Sequence, residues 1–91
     1  MGFILTRIQV GDYDTWKQLF DKDTPGARRD AKAHRVFRNA DDPNEVFVMV
    51  EFASSEDARE GARRLLESGV LDRFSDKTGP TVLEQAEAVA H

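Results

Sequence analysis

Cysteine is absent from this 91-residue sequence, and histidine occurs only twice, once at the C-terminal position. Without cysteine, disulfides, thiolate metal sites and thiol nucleophiles are excluded. Two histidines cannot form a histidine-rich set of metal ligands. Phosphate-binding loops, dinucleotide fingerprints and nucleophile elbows are missing as well. We therefore expect neither a metal nor an organic cofactor.

A surplus of positive charge is also missing. The chain has 17 acidic and 13 basic side chains, which gives a formal net charge of −4. Nucleic-acid binding depends on clustered Lys and Arg, so we expect no nucleic-acid partner. No apolar run approaches the ~20 residues that span a bilayer, and Arg7 interrupts the apolar N-terminus too early for a signal peptide. We expect a cytoplasmic protein that has no membrane partner.

The length suits one small domain, which we place over residues 1–91 with an ordered core from about residue 3 to 85. A chain this short buries only about 60–65% of the surface that its unfolded form exposes. Self-association would add to that buried area. We therefore expect a homodimer.

The first half of the chain has the residue patterns of a strand followed by a helix. Residues 3–10 are rich in apolar and β-branched types and predict the first strand. Asp12 is placed to cap a helix that carries Tyr13, Trp16, Leu19 and Phe20 at helical spacing. The Pro25-Gly26 pair ends or kinks that helix. Its aromatic stripe should face a sheet.

The second half predicts a hairpin, a helix and a last strand. Residues 34–38 and 45–52 form the hairpin, around a turn that contains Asp42, Pro43 and Asn44. Ser54 lies three residues before Asp57, a spacing that resembles a capping box at the start of the second helix. Gly69 is a natural stop for it, residues 70–74 suggest a short extra helix, and residues 81–85 form the last strand. The tail, residues 86–91, should be loose.

The order strand, helix, strand, strand, helix, strand defines an α+β fold, the ferredoxin-like βαββαβ arrangement. Its right-handed crossovers produce a four-stranded antiparallel sheet with both helices on one face. The third strand is apolar on both sides, with Val48 and Val50 on one and Phe47 and Met49 on the other. The sheet face without helices therefore needs a cover. The sheet of a second copy is the simplest one.

The chain resembles the dimeric α/β-barrel superfamily over about residues 3–85, in its element order and in several short segments. These segments are Asp12-Tyr13-Asp14-Thr15-Trp16-Lys17, Arg35-Val36-Phe37-Arg38, Asp42-Pro43-Asn44-Glu45-Val46 and Val50-Glu51-Phe52. The superfamily includes antibiotic-biosynthesis-monooxygenase-like domains, small polyketide cyclases and stress-responsive barrel proteins. The resemblance implies two sheets packed face to face in a dimer. It also implies a ligand cavity either between sheet and helices or inside the barrel.

The resemblance further implies which side chains do the chemistry in such proteins. Monooxygenase members are cofactor-free and use Asn, Trp, Tyr and Arg around an aromatic substrate, whereas haem-degrading relatives pair a His with Asn and Trp. The present sequence has one Trp and one Tyr, Trp16 and Tyr13, and both fall on the first predicted helix.

Three polar residues are candidates for catalysis: Arg7, His34 and Glu51. In a water-poor barrel Arg7 could bind an anionic or enol oxygen, while Glu51 or His34 acts as the base. Arg35 could join them. The alternative for Arg7 and Glu51 is a structural ion pair in the dimer interface. The alternative for His34 is an edge-strand or interface side chain beside Arg35.

The candidates for ligand binding are Tyr13, Trp16 and Phe74, because they lie near element ends and combine apolar bodies with two polar atoms. The alternative is that they belong to the ordinary core. Arg28 and Arg29, in the polar segment after the first helix, could gate a pocket.

The leading hypothesis is a small dimeric α/β-barrel protein that binds a hydrophobic or aromatic small molecule. A cofactor-independent monooxygenase, cyclase or isomerase step on that molecule would fit. The alternative is a non-catalytic, stress-related or interaction protein whose barrel is a packed dimer interface. Whether the protein is an enzyme stays open at this point.

Overall fold

The computed structural model describes residues Met1–His91, which form four strands, two α-helices and one short 3-10 helix. The strands are β1 (Gly2–Gln9), β2 (Ala33–Asn39), β3 (Asp42–Phe52) and β4 (Lys77–Glu84). The helices are α1 (Tyr13–Lys22) and α2 (Ser55–Glu67), and the 3-10 helix covers Val70–Arg73. No helix is both long enough and apolar enough to cross a membrane.

The four strands form one antiparallel sheet in the order β2-β3-β1-β4. Helix α2 packs over β1 and β4, whereas α1 packs over β3. The ferredoxin-like βαββαβ fold predicted from the sequence is therefore confirmed.

Both helices begin at the predicted caps. The backbone N–H of Thr15 donates to the carboxylate of Asp12 over 2.9 Å, and this bond lowers the pKa of Asp12. The N–H of Asp57 donates to the hydroxyl of Ser54 over 3.1 Å. Each bond satisfies one of the amides that a helix leaves unpaired in its first turn.

Two predicted boundaries were wrong. Strand β3 starts at Asp42 rather than at residue 45, because the turn consists only of Ala40 and Asp41 and the pairing resumes between Asn39 and Asp42. Strand β4 starts at Lys77 rather than at residue 81. Gly79 and Pro80 lie within β4, at the point where its register with β1 shifts. Turn-forming residues in a strand often mark such a bulge.

The strand register separates the two faces of the sheet. The face under the helices carries the buried core, which includes Ile4, Ile8, Val46, Val48, Val50 and Phe52. The opposite face, called the bare face below, carries the half-buried Phe3, Leu5, Phe47, Met49 and Leu83. Arg7, Arg35 and Glu51 lie on the bare face as well, because each pairs with one of these positions.

Helix α2 approaches the sheet closely because its inner surface is made of small residues. Ala58, Gly61 and Ala62 are all buried. A Cβ atom added to Gly61 would come within 2.8 Å of the Ala27 carbonyl oxygen, 2.9 Å of the Phe52 ring and 3.2 Å of Ile4. Gly61 therefore sets how near α2 and the segment around Ala27 lie to the sheet.

We predict that Gly61→Ala destabilises the protein by about 1–3 kcal/mol, the usual effect of overpacking. Alanine is the better helix former by about 1 kcal/mol, so a purely local effect would have the opposite sign. Gly11→Ala is the matched control, because a Cβ there meets nothing within 4 Å. Urea unfolding measures both variants. A Gly61→Ala protein as stable as the wild type would contradict the close packing.

Candidate functional site

A cavity of about 110 Å³ lies between the sheet and the helices. Its floor is formed by β1 and β3, one wall by α1, and the other wall by the end of α2 and the 3-10 helix. The loop after α1 contributes to its rim. The lining residues are Ile4, Thr6, Ile8, Trp16, Leu19, Phe20, Asp23, Pro25, Ala27, Arg28, Val48, Val50, Leu65, Val70, Leu71, Arg73 and Phe74.

The cavity arises from the unequal packing of the two helices. Helix α2 lies close over β1 and β4 through its small residues, whereas α1 is held over β3 by bulky aromatic side chains. The space left between the helices lies above β1 and β3. Twelve of the 17 lining residues are hydrophobic, so the cavity favours a ligand with an apolar body.

Trp16 is the central aromatic residue of the α1 wall and is 7% exposed. Its ring centroid lies 5.0 Å from that of Phe20, in a stacked arrangement, and 5.8 Å from that of Tyr13. Phe74 lines the opposite wall after the 3-10 helix. The structure therefore brings together two of the three predicted ligand-binding residues, Trp16 and Phe74.

Tyr13, the third one, does not line the cavity. It lies at the start of α1, where its backbone N–H donates to Asn44 over 3.1 Å. The guanidinium carbon of Arg38 lies 4.1 Å from its ring centroid, which is a cation–π contact. These contacts hold Tyr13 at the edge of the sheet.

One polar pair on the rim is tightly fixed. The Nε of Arg28 lies 3.6 Å from the carboxylate of Asp23, and the Arg28 backbone N–H donates to the same carboxylate over 3.1 Å. The guanidinium also donates to the Phe20 carbonyl oxygen and lies 3.7 Å from the centroid of the Phe20 ring. The positive charge of Arg28 is thus already balanced within the protein. The sequence suggested a gate at Arg28 and Arg29, and the structure places Arg28 on the rim.

The three predicted catalytic residues do not converge. Arg7 and Glu51 share the bare face, but Arg7 pairs with Phe47 whereas Glu51 pairs with Phe3, near the opposite end of β1. His34 projects from the other face, since it pairs with Val50, and its ring lies 5.4 Å from Phe20 in an edge-to-face contact. None of the three lines the cavity. Their catalytic roles stay predictions.

The partners of Arg7 are two carboxylates that were not predicted from the sequence. Arg7 contacts Glu45 at 2.6 Å and Asp76 at 2.6 Å. Asn39 donates to the other oxygen of Glu45 over 2.7 Å. The hydrogen bonds from Asn39 and Arg7 lower the pKa of Glu45, and the bond from Arg7 lowers the pKa of Asp76. Both carboxylates in turn raise the pKa of Arg7.

Arg73 was also missed, and it is the second positive charge of the rim. The only sequence signal was a basic residue between Leu71 and Phe74 in the short extra helix. Residues that could hold a metal are not clustered: no group of three His, Asp or Glu side chains is arranged for coordination.

Comparisons with known proteins agree with this fold. No family model matches the sequence, and no curated protein matches it. Among solved structures, proteins with the same α+β ferredoxin-like fold are similar to this chain.

Two such structures match over nearly their whole length. One is a mutant of SnoaB, a cofactor-independent oxygenase from Streptomyces nogalater, with a TM-score of 0.74, 14% identity and coverage of 99% of this chain and 97% of that one. The other is a candidate antibiotic biosynthesis monooxygenase from Deinococcus radiodurans, with a TM-score of 0.69, 12% identity and coverage of 100% and 98%. At these identities the likeness establishes the fold.

We predict that Arg7→Met makes the free energy of unfolding less dependent on pH in the acidic range. Because the folded pKa values of Glu45 and Asp76 are lowered, their pairing with Arg7 stabilises fully above the unfolded values of about 4.3 and 3.9. That contribution is lost as pH falls through the folded values. The difference in unfolding free energy between wild type and variant should therefore shrink below about pH 4.

Urea unfolding at a fixed protein concentration, repeated between neutral pH and about pH 3, measures this difference. Arg59→Met is the matched control, since Arg59 is exposed and forms no ion pair. A difference for Arg7→Met that stays constant with pH would contradict the assigned pairing.

Proposed function

We propose that the protein binds a small, flat, largely apolar molecule in the cavity between α1, α2 and the sheet. The cavity itself carries this proposal, because its walls are apolar and its few polar groups, Thr6 and the rim pair Arg28 and Asp23 among them, are localised. Such a combination of apolar walls and a few fixed polar groups is typical of small-molecule sites.

The size of the cavity limits the ligand. Drug-sized ligands occupy about 300–1,000 Å³, whereas an apolar cavity of about 150 Å³ is enough for benzene. The present cavity of about 110 Å³ is smaller than that, so as it stands it suits at most a single aromatic ring. A two-ring or larger molecule would require α1 or the loop after it to move outward.

The activity that we propose on this ligand is cofactor-independent oxygenation. The support is the fold shared with SnoaB, together with a cavity whose Trp16 and Phe20 rings suit an aromatic substrate. An electron-rich hydroquinone can react with dioxygen directly: one oxygen atom enters the ring, and the other leaves as water with two hydrogens from the substrate. The protein would bind the ring, exclude water and stabilise the negative charge that develops on it.

We also propose that a second copy of the chain covers the bare face. This face combines apolar residues such as Phe47 and Met49 with charges of both signs, including Arg35 and Glu51. A twofold interface is self-complementary, so a patch that carries both signs can pair with its own copy. Phe37, which is 49% exposed, extends the apolar patch onto the edge strand β2. The interface would then contain or border Arg7, Glu51 and Arg35. Their two alternative roles, in catalysis or in structural ion pairs, can be tested there.

Ligand binding should raise thermal stability. A molecule bound at 100 times its Kd stabilises the native state by about 2.7 kcal/mol. We predict such a gain with one-ring aromatics and, once α1 or the loop after it moves outward, with two-ring ones such as indole and 2-naphthol. We predict its loss in Val70→Phe, which fills the cavity. Val89→Phe, an identical change in the exposed tail, should keep the response.

Thermal unfolding of the wild type and the two variants, with and without these aromatic compounds, tests whether the cavity is the binding site. A response in Val70→Phe equal to the wild type would place the ligand elsewhere. Silence of the wild type would favour a non-catalytic protein with a packed interface. With 1,4-dihydroxynaphthalene as substrate and a chelator present, oxygen uptake that Val70→Phe abolishes is the result expected for the oxygenase.

We predict that light scattering finds a dimer that persists on dilution, and that Met49→Lys dissociates it, because a charge would then be buried at the centre of the bare face. Leu66→Lys is the control: Leu66 is 60% exposed on α2, away from this face. A monomeric wild type, or a Met49→Lys protein that stays dimeric, would contradict the proposed interface.

A further inference from the structure

The charges around the cavity are unequal. Three of its lining residues are ionisable: Asp23, Arg28 and Arg73. Asp23 and Arg28 neutralise each other across the rim, as their ion pair and their backbone hydrogen bond show. Arg73 is left as the uncompensated charge at the cavity.

Arg73 differs from most arginines of this protein. Arg7, Arg28, Arg63 and Arg64 all form ion pairs, and Arg38 donates to a backbone carbonyl. Arg73 forms no ion pair and donates no side-chain hydrogen bond. The other arginines without a partner, Arg29, Arg35 and Arg59, do not line the cavity.

Its position gives Arg73 access to both the cavity and water. It is the last residue of the 3-10 helix, between the buried Leu71 and the lining residue Phe74, and it is exposed. A guanidinium keeps its charge at any physiological pH and offers several N–H donors in a planar fork that matches an oxygen anion. A ligand lying in the cavity with an anionic group at the mouth would meet these donors.

We infer that the cavity is built for an anion: a small aromatic body inside, with a carboxylate or ionised phenol held by Arg73 at the mouth. This inference rests on the proposed binding function and adds the charge of the ligand and the residue that selects it. The net charge of the protein is −4, so the protein as a whole repels anions. An anionic ligand therefore needs a local positive charge, such as that of Arg73.

The experiment compares matched ligands that differ chiefly in charge. Phenylacetate and phenylacetamide test the carboxylate, and 4-nitrophenolate and 4-nitroanisole, at about pH 8.5, test the ionised phenol. Titration calorimetry measures each Kd. For the first pair, the fluorescence of Trp16 gives a second readout, since it is the single tryptophan and lines the cavity.

We expect the wild type to bind at least one anion on the order of tenfold more tightly than its neutral partner, as a hydrogen bond to a charged group would give. Arg73→Gln should weaken the anion much more than its neutral partner and so remove this preference. Arg73→Lys, which keeps the charge, should retain most of it. Arg59→Gln, the matched control on α2, should retain all of it. The anion that shows the preference identifies the group.

Two kinds of result would overturn the inference, and they can be told apart. Equal binding of both members of each pair, or a preference that survives Arg73→Gln, refutes the role of Arg73 while the binding function stands. Failure of every ligand to bind the wild type, or equal binding by Val70→Phe, refutes the cavity as the site and removes both proposals together.

Discussion

The close approach of α2 to the sheet is the interaction on which the rest of the structure depends. It is made possible by Gly61, whose missing side chain leaves room for the Ala27 carbonyl and the Phe52 ring. Contact at this point fixes α2 over β1 and β4 and anchors the segment that follows α1. Because Trp16 and Phe20 are bulky, α1 cannot approach the sheet equally closely. The cavity is the space between one tightly packed helix and one loosely packed helix.

The two faces of the sheet thereby acquire different roles. The helix-side face holds the core and the cavity, with one fixed ion pair and one free arginine at its rim. The bare face holds an apolar patch bordered by charges, among them the cluster of Arg7, Glu45 and Asp76. Strand β3 serves both faces because it is apolar on both sides. The proposed ligand binding and the proposed self-association should thus be separable by substitution.

The fold could be predicted because its signals are local. Alternation in β1, the double-sided apolar run of β3 and the caps Asp12 and Ser54 each specify one element, and their order specifies the topology. The starts of β3 and β4 were misplaced because Pro43 and Pro80 favour turns by propensity, while sheet pairing overrides that preference here.

The candidate site could be predicted only in part, since its geometry depends on contacts between distant segments. Closeness to an element end pointed to Phe74 and Trp16, and the indole N–H of Trp16 added a polar atom. The partners of Arg7 could not be found in this way, because Glu45 and Asp76 meet it only through the register and the return of the chain after the 3-10 helix. The sequence signal for Arg73 was only a basic residue in the short extra helix, since what distinguishes Arg73 is that its side chain has no partner.

The most direct test of the central claim is methyl NMR of the protein titrated with phenylacetate. If the ligand lies between the helices and the sheet, the methyl signals of Ile4, Ile8, Val48 and Leu71 should shift together, while those of Leu5 and Leu83 on the bare face stay unchanged. Shifts confined to Leu5 and Leu83 would place the ligand on the opposite face and contradict the account. Absence of any shift at saturating concentration would refute the binding itself.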